Sequence, residues 1–289
     1  MSVASYDGRL VEKSSLRIGV TDYGFSRGLA IFELARVYGG VPFRLDDHLM
    51  RLQSGVEALG LALPMTLPEL GELAQQICDK NKFTHSALKF YFTAGESRLS
   101  PLPFADDHGF TPHLMIIEDE VKLQHPEAPY GLDLYHQGQR LKIVPYERAL
   151  PSIKSINYMQ GFIASREAGA KWTDILFTHS KGYITEATRS NFFCVIDGVL
   201  CTPDRDMLFG ITRKVILEIA HDLKIPVAER TLMPEDVRRA TEAFISGSIV
   251  EIMPVKQIDE HVFPTTMEGP VFVTLRKAFS AVLKSAQQQ

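Results

Sequence analysis

The chain has 289 residues, with 31 Lys+Arg against 35 Asp+Glu for a formal charge of −4, 45% hydrophobic and 23% charged residues. With a mean hydropathy of −0.03, this balance argues against a polybasic nucleic-acid or membrane-surface protein. No apolar run approaches the ~18–20 residues of a membrane span, and the length suits about two domains of ~150 residues. Cys78, Cys194 and Cys201 form no CxxC pair and no metal-type spacing, which fits a reducing compartment. Residues 1–15 are charged and have no apolar core of a secretory signal, so a cytoplasmic location is expected.

In chain order, Tyr6–Leu10 reads as a strand and turn, and Ile31–Tyr38 as a strand ending at Gly39-Gly40. Asp46 or Asp47 is the expected N-cap of a helix with Leu49, Leu52, Val56 and Leu59 on one face. Thr66-Leu-Pro-Glu69 spells a capping box before Leu70, Leu73 and Ile77. Over Ser86–Thr93, Leu88, Phe90 and Phe92 alternate with Lys89, Tyr91 and Thr93, so one strand face is apolar and the other polar. Ser97–Phe110 reads as a long irregular loop of the kind that often serves function. His113–Ile117 resumes as a strand.

Lys122–Gly131, with Pro126 and Pro129, is the candidate linker between domains 1–121 and 132–289. Beyond it, strands are expected at Leu132–Tyr135 and Leu141–Tyr146, then a helix over Tyr158–Gly169. Strands at Asp174–Thr178 and Tyr183–Thr185 flank a turn, and Asp197-Gly198 signals a hairpin between Asn191–Ile196 and Val199–Thr202. A helix over Thr212–Leu223, strands at Val227–Leu232 and Ala243–Ser246, and a last helix from about Pro270 complete the chain. Helices and strands mix without strict βαβ alternation. The fold class is therefore α+β: a smaller N-terminal α/β domain and a larger C-terminal domain with a mixed sheet.

Walker A, GxGxxG and HExxH patterns are absent, and the nine histidines show no ligand spacing, so no metal is expected. Chemistry points instead to Pro151-Ser-Ile-Lys-Ser-Ile-Asn-Tyr158, where Lys154 lies between Ile153 and Ile156. A lysine in apolar company loses hydration, its pKa falls, and its amine becomes a nucleophile toward carbonyls. Downstream stand Glu186 in Gly182–Phe193, a helix start at Phe209-Gly-Ile-Thr-Arg213 suited to an anion, and the hydroxyl-bearing Ser246-Gly-Ser-Ile-Val-Glu-Ile252.

These segments, in this order, together with Asp22–Glu33, resemble the fold type IV enzymes that use pyridoxal 5′-phosphate (PLP), the class IV aminotransferases. The resemblance implies that Lys154 is the catalytic Schiff-base lysine and that Glu186 pairs with the pyridine nitrogen. It implies that Arg51, Ile211, Thr212 and Ser248 hold the phosphate, Tyr158 the phenolic oxygen, and Leu208 the ring face. It also implies a homodimer, with the 97–109 loop of one copy closing the site of the other.

Substrate selection falls to Arg27, Phe32, Lys89, Tyr91 and Arg189. Arg27 and Lys89 stand where branched-chain enzymes carry an aromatic and an arginine, and Arg189 where many relatives carry a small residue. Thr93-Ala-Gly95 replaces the Arg-Gly expected of D-amino-acid enzymes. Three cations suit a carboxylate-bearing substrate. The expected reaction is transfer of an amino group from an α-amino acid, with a lean to D-amino acids, onto 2-oxoglutarate or pyruvate. Branched-chain L-amino-acid transfer, release of pyruvate from aminodeoxychorismate, and PLP binding without turnover are the alternatives.

Overall fold

The computed structural model describes residues 2–97, 109–125, 131–264 and 269–287. Residues 98–108 of the loop expected at 97–110, and part of the expected linker, lie outside them; Ser97 and Phe110 end and begin paired strands. The chain divides into two compact units: Met1–Lys122 with Ile153–Asn157, and Leu123–Ser152 with Tyr158–Gln289. The sequence placed the boundary near Lys122–Gly131. It did not foresee that Ile153–Asn157 returns to the first unit.

The first unit comprises β1 (Val3–Tyr6), β2 (Arg9–Glu12), α1 (Tyr23–Arg27), β3 (Ala30–Tyr38), β4 (Val41–Pro42), α2 (Leu45–Ala58), α3 (Leu67–Asn81), β5 (His85–Ser97) and β6 (Phe110–Glu120). Its six-stranded sheet runs β2-β1-β6-β5-β3-β4, with every pairing antiparallel. Strand alternation sends Ile31 and Val37 of β3, Leu88, Phe90 and Phe92 of β5, and Leu114 and Ile116 of β6 to one face. There they pack on Leu49, Leu52 and Val56 of α2 and Leu70, Leu73 and Ile77 of α3, the apolar stripes read from the sequence.

The Thr66 capping box forms as expected. The α2 cap does not. Arg44, in the left-handed region at φ 54°, is the N-cap, and Asp46 and Asp47 sit inside the first turn. The chain enters this helix through a left-handed residue, so neither aspartate is placed to cap. Both still favour the positive end of the helix dipole.

The second unit comprises α4 (Leu132–Gln137), β7 (Gln139–Pro145), α5 (Met159–Ala168), β8 (Asp174–Thr178), β9 (Ile184–Ala187), β10 (Asn191–Ile196), β11 (Val199–Thr202), α6 (Ile211–Asp222), β12 (Val227–Glu229), α7 (Pro234–Val237), β13 (Glu242–Gly247), β14 (Glu251–Ile258), β15 (His261–Val262) and α8 (Pro270–Ala286). Its nine-stranded sheet follows β12-β11-β10-β13-β14-β7-β8-β9, with β15 on β14. Because β9 also pairs with β10 at Asn191↔Glu186, six of these strands close into a ring. The β14–β7, β7–β8 and β11–β12 pairs are parallel, which makes the sheet mixed. Every residue of β9 and β10 is buried. The core gathers Leu176, Phe192, Cys194, Ile245, Met253 and Val255.

The Asp197-Gly198 hairpin forms with both residues at positive φ, 53° and 78°. Leu132–Tyr135, expected as a strand, is helical. Gly131 and Gly138 bound the short α4, and its alternating apolar residues cannot be told from a strand over so few positions. β12 ends at Glu229, short of Leu232. Among the described residues, no helix is long and apolar enough to cross a membrane, and no group of three His, Cys, Asp or Glu is placed to hold a metal ion.

The β5–β6 register shifts between Thr93 and Glu96. Gly95 sits in this bulge at φ +69°, where a Cβ would lie 1.6 Å from the Thr111 carbonyl oxygen. Only glycine fits both constraints. Gly95→Ala is expected to lower stability by at least ~2 kcal/mol, read as a lower midpoint in urea unfolding.

Candidate active site

Lys154 is placed by backbone pairing. The Phe32 N–H donates to the Lys154 carbonyl at 2.9 Å and the Ile156 N–H to Ala30 at 3.3 Å, while Ile31 and Ser155 form an antiparallel bridge. Ile153 buries its side chain in the core beneath β3 and α2. The half-buried Lys154 carries its amine 4.5 Å from the centre of the Phe32 ring. Phe32 in turn stacks on Tyr91, with ring centres 6.0 Å apart and planes 19° from parallel.

The next residue on β3, Glu33, points to the helical side and is 1% exposed. Its carboxylate receives Arg51 Nε at 2.7 Å and Nη2 at 2.8 Å, a two-pronged pair. It also meets His48 Nδ1 at 2.8 Å. Burial alone would raise the Glu33 pKa, but the Arg51 charge and the hydrogen bonds from His48 and Arg51 outweigh it and hold the group at about 2. For His48, burial lowers the pKa and the pull of Glu33 does not fully offset it. At neutral pH the cluster is one anion, one guanidinium and one neutral imidazole.

Arg27 ends α1, exposed, with its guanidinium 3.3 Å from the Ser26 carbonyl. Lys89 is tied to Asp119 at 2.7 Å, and Asp119 also takes Lys13. Lys89 is thus half of an ion pair, not an isolated pocket cation.

The same sheet face holds a residue that the sequence reading missed. Arg36 lies two positions along β3 from Leu34, is 1% exposed, and none of its three guanidinium nitrogens finds a hydrogen-bond partner among the described residues. Its Cζ stands 5.3 Å from the Tyr38 ring. A cation buried without acceptors is costly. An arginine inside a largely apolar strand was the available signal.

In the second unit, Glu186 on β9 is 4% exposed. Arg148 donates to its Oε1, and the Leu208 N–H to its Oε2 at 3.2 Å. Asn191, paired opposite Glu186, donates to the Leu208 carbonyl at 2.6 Å, so both ends of the Leu208 backbone are held. Arg148 and Asn191 were not singled out in the sequence. Gly210 caps α6, and a Cβ there would lie 2.1 Å from Asn191 Oδ1. That N-terminus takes no side-chain cap; Ile211 and Thr212, its first residues, are buried. Ser246 on β13, paired with Asn191, keeps a buried hydroxyl with no hydrogen-bond partner among the described residues. Ser248 follows in the β13–β14 turn, and Tyr158 is the N-cap of α5. Arg189 is exposed and acts electrostatically on Asp174, whose pKa burial raises.

These groups fit PLP. An uncapped helix start and an orphan buried hydroxyl suit a phosphate, a buried carboxylate suits a protonated pyridine nitrogen, and a half-buried amine suits an aldehyde.

Known proteins agree. The sequence pattern of the amino-transferase class IV family matches residues 30–258. A putative branched-chain-amino-acid aminotransferase of Methanocaldococcus jannaschii is 28% identical over 284 residues, covering 96% of this chain and 94% of the relative. A D-alanine aminotransferase of Listeria monocytogenes serotype 1/2a is 27% identical over 275 residues, covering 94% and 93%. The fold is similar to that of the Escherichia coli branched-chain amino acid aminotransferase, with a TM-score of 0.86 at 26% identity, covering 98% of this chain and 94% of that one. It is equally similar to the branched-chain aminotransferase of Thermoproteus uzoniensis solved with norvaline, with a TM-score of 0.85 at 26% identity, covering 99% and 95%. The chain belongs to the class IV aminotransferases, the PLP-dependent family that its ordered motifs resemble.

Proposed function

We propose that this aminotransferase moves the amino group of a D-amino acid, of the D-alanine or D-glutamate type, onto 2-oxoglutarate or pyruvate with PLP as cofactor. The observation that carries the transfer chemistry is the placement of two groups on consecutive residues of β3: the Lys154 amine over Phe32, and Arg51 clamped on Glu33.

When bound, PLP supplies an aldehyde for amines and a ring that accepts the electrons left on Cα. Lys154 would bind the aldehyde through its amine and, released when the substrate's amine takes its place, would carry the proton between the substrate Cα and the cofactor C4′. Glu186 would pair with the protonated pyridine nitrogen, and Arg148 and the Leu208 N–H hold its carboxylate in place. Arg51, the Ile211 and Thr212 N–H groups and the Ser248 hydroxyl take the phosphate; Tyr158 takes the phenolic oxygen and Leu208 packs on the ring. Phe32 and Tyr91 form an apolar wall for the substrate. Arg27, Arg189 and the Lys89–Asp119 pair select for carboxylates.

The lean to D-amino acids rests on Arg27 and Arg189 standing where branched-chain enzymes are aromatic or relatives small. Relatives named for branched-chain and for D-alanine transfer match this chain about equally well, which keeps L-leucine-type donors as the second reading. A homodimer working in the cytoplasm is part of this proposal.

PLP-loaded protein is expected to show an absorbance band near the visible edge that borohydride removes. Lys154→Ala should abolish the band and cut turnover at least ~1,000-fold. Its survival in the variant would remove Lys154 from its role. Coupled assays with D-Ala, D-Glu, L-Leu and (R)-1-phenylethylamine should show the D-amino acids preferred, whereas activity with L-Leu alone would establish the branched-chain reading. Arg27→Ala and Arg189→Ala should each raise the keto-acid KM about 10-fold with kcat little changed.

A further inference from the structure

The helical face of β3 is apolar at Ile31, Ala35 and Val37, and Glu33 interrupts it. A carboxylate in that row survives only with a cation beside it. His48 and Arg51, three residues apart on α2, both turn toward the strand and meet it. The carboxylate engages the whole Nε–Nη2 edge of the guanidinium, so the plane of Arg51 is fixed in both tilt and rotation. Any further acceptor must then be met by Nη1 or by the second N–H of Nη2. A long, flexible side chain has been ordered during folding, before a ligand arrives.

We propose that Glu33 is the positioning residue of Arg51, holding its guanidinium in the one orientation that receives a phosphate ester, with His48 holding Glu33 in turn. This rests on the reading of Arg51 as a phosphate residue. It also makes a counter-intuitive claim. By charge alone, Glu33 should weaken phosphate binding, because it cancels part of the Arg51 charge. By positioning, it strengthens it.

The two accounts separate in the affinity of the apoprotein for PLP against pyridoxal, which lacks the phosphate. The ratio of the two dissociation constants isolates the phosphate contribution from the ring and the amine. Wild type, Arg51→Ala, Glu33→Gln and Glu33→Asp are titrated. Arg51→Ala should collapse the ratio, Glu33→Gln should reduce it about 10-fold, and Glu33→Asp, which keeps the charge but shortens the reach, should fall between. Pyridoxal affinity should stay nearly unchanged throughout. A ratio that rises or holds in both Glu33 variants while Arg51→Ala collapses it overturns the positioning role and leaves Arg51 in place. Equal losses for PLP and pyridoxal would make Glu33 merely structural. A ratio unchanged in Arg51→Ala would instead remove Arg51 from the phosphate site, and the proposal with it. Should Glu33→Gln not fold, Glu33→Asp alone decides, because it preserves the buried ion pair.

Discussion

The backbone pairing of Ile153–Asn157 with β3 is the constraint on which the rest depends. Ile153 is drawn into the core beneath the sheet, and the backbone of Lys154 and Ile156 is bonded to β3. The Ser155 N–H bonds back to the Ile153 carbonyl, and this tight turn at Lys154 leaves Ile153 in the core and the Lys154 amine over Phe32. β3 alternates as a strand must, so Phe32 serves the lysine while Glu33, one residue on, serves α2. A single strand thus divides its side chains between an amine and an ion-pair cluster, and neither can be moved without turning over the other.

Buried charge is the second theme. Glu33 is matched by Arg51 and Glu186 by Arg148, each carboxylate nearly inaccessible and each guanidinium partly open. Glu33, held this way, stays ionised far into acid, because its charged form has donors that the neutral form would leave stranded. Arg36 is the exception. It has the burial of those carboxylates without a matching acid. The net charge of −4 therefore says nothing of how the interior is arranged, because paired charges cancel in the sum while the lone Arg36 guanidinium counts as a single +1.

Local signals were legible in the sequence and distant pairings were not. The Thr66 capping box, the Asp197-Gly198 hairpin and the β5 alternation are each written within a few residues, and each forms. The ordered motifs around Lys154, Glu186 and Gly210 were enough to name the family. Arg148 escaped notice because its importance comes from lying against Glu186, 38 residues away. The Glu33 pairing with Arg51 escaped notice too, because nothing in spacing says which cation a strand carboxylate will meet. Leu132–Tyr135 and the α2 cap failed for a related reason. Four alternating residues, or two adjacent aspartates, admit more than one local structure, and the glycines and Arg44 around them decide.

The closing of the six-strand ring by Asn191↔Glu186 reaches beyond the site. A strand with a bare edge invites a strand from another molecule. Here the ring leaves few edges, and the outermost strands are brief: three residues in β12, two in β15, and, in the first unit, two in β4 and four in β2. The β2 edge also carries Arg9 and Glu12. Copies of this chain are thereby discouraged from joining by sheet extension, the route that leads toward fibres. Whatever assembly the enzyme forms must be written in side chains, where complementarity can be specific and growth can stop.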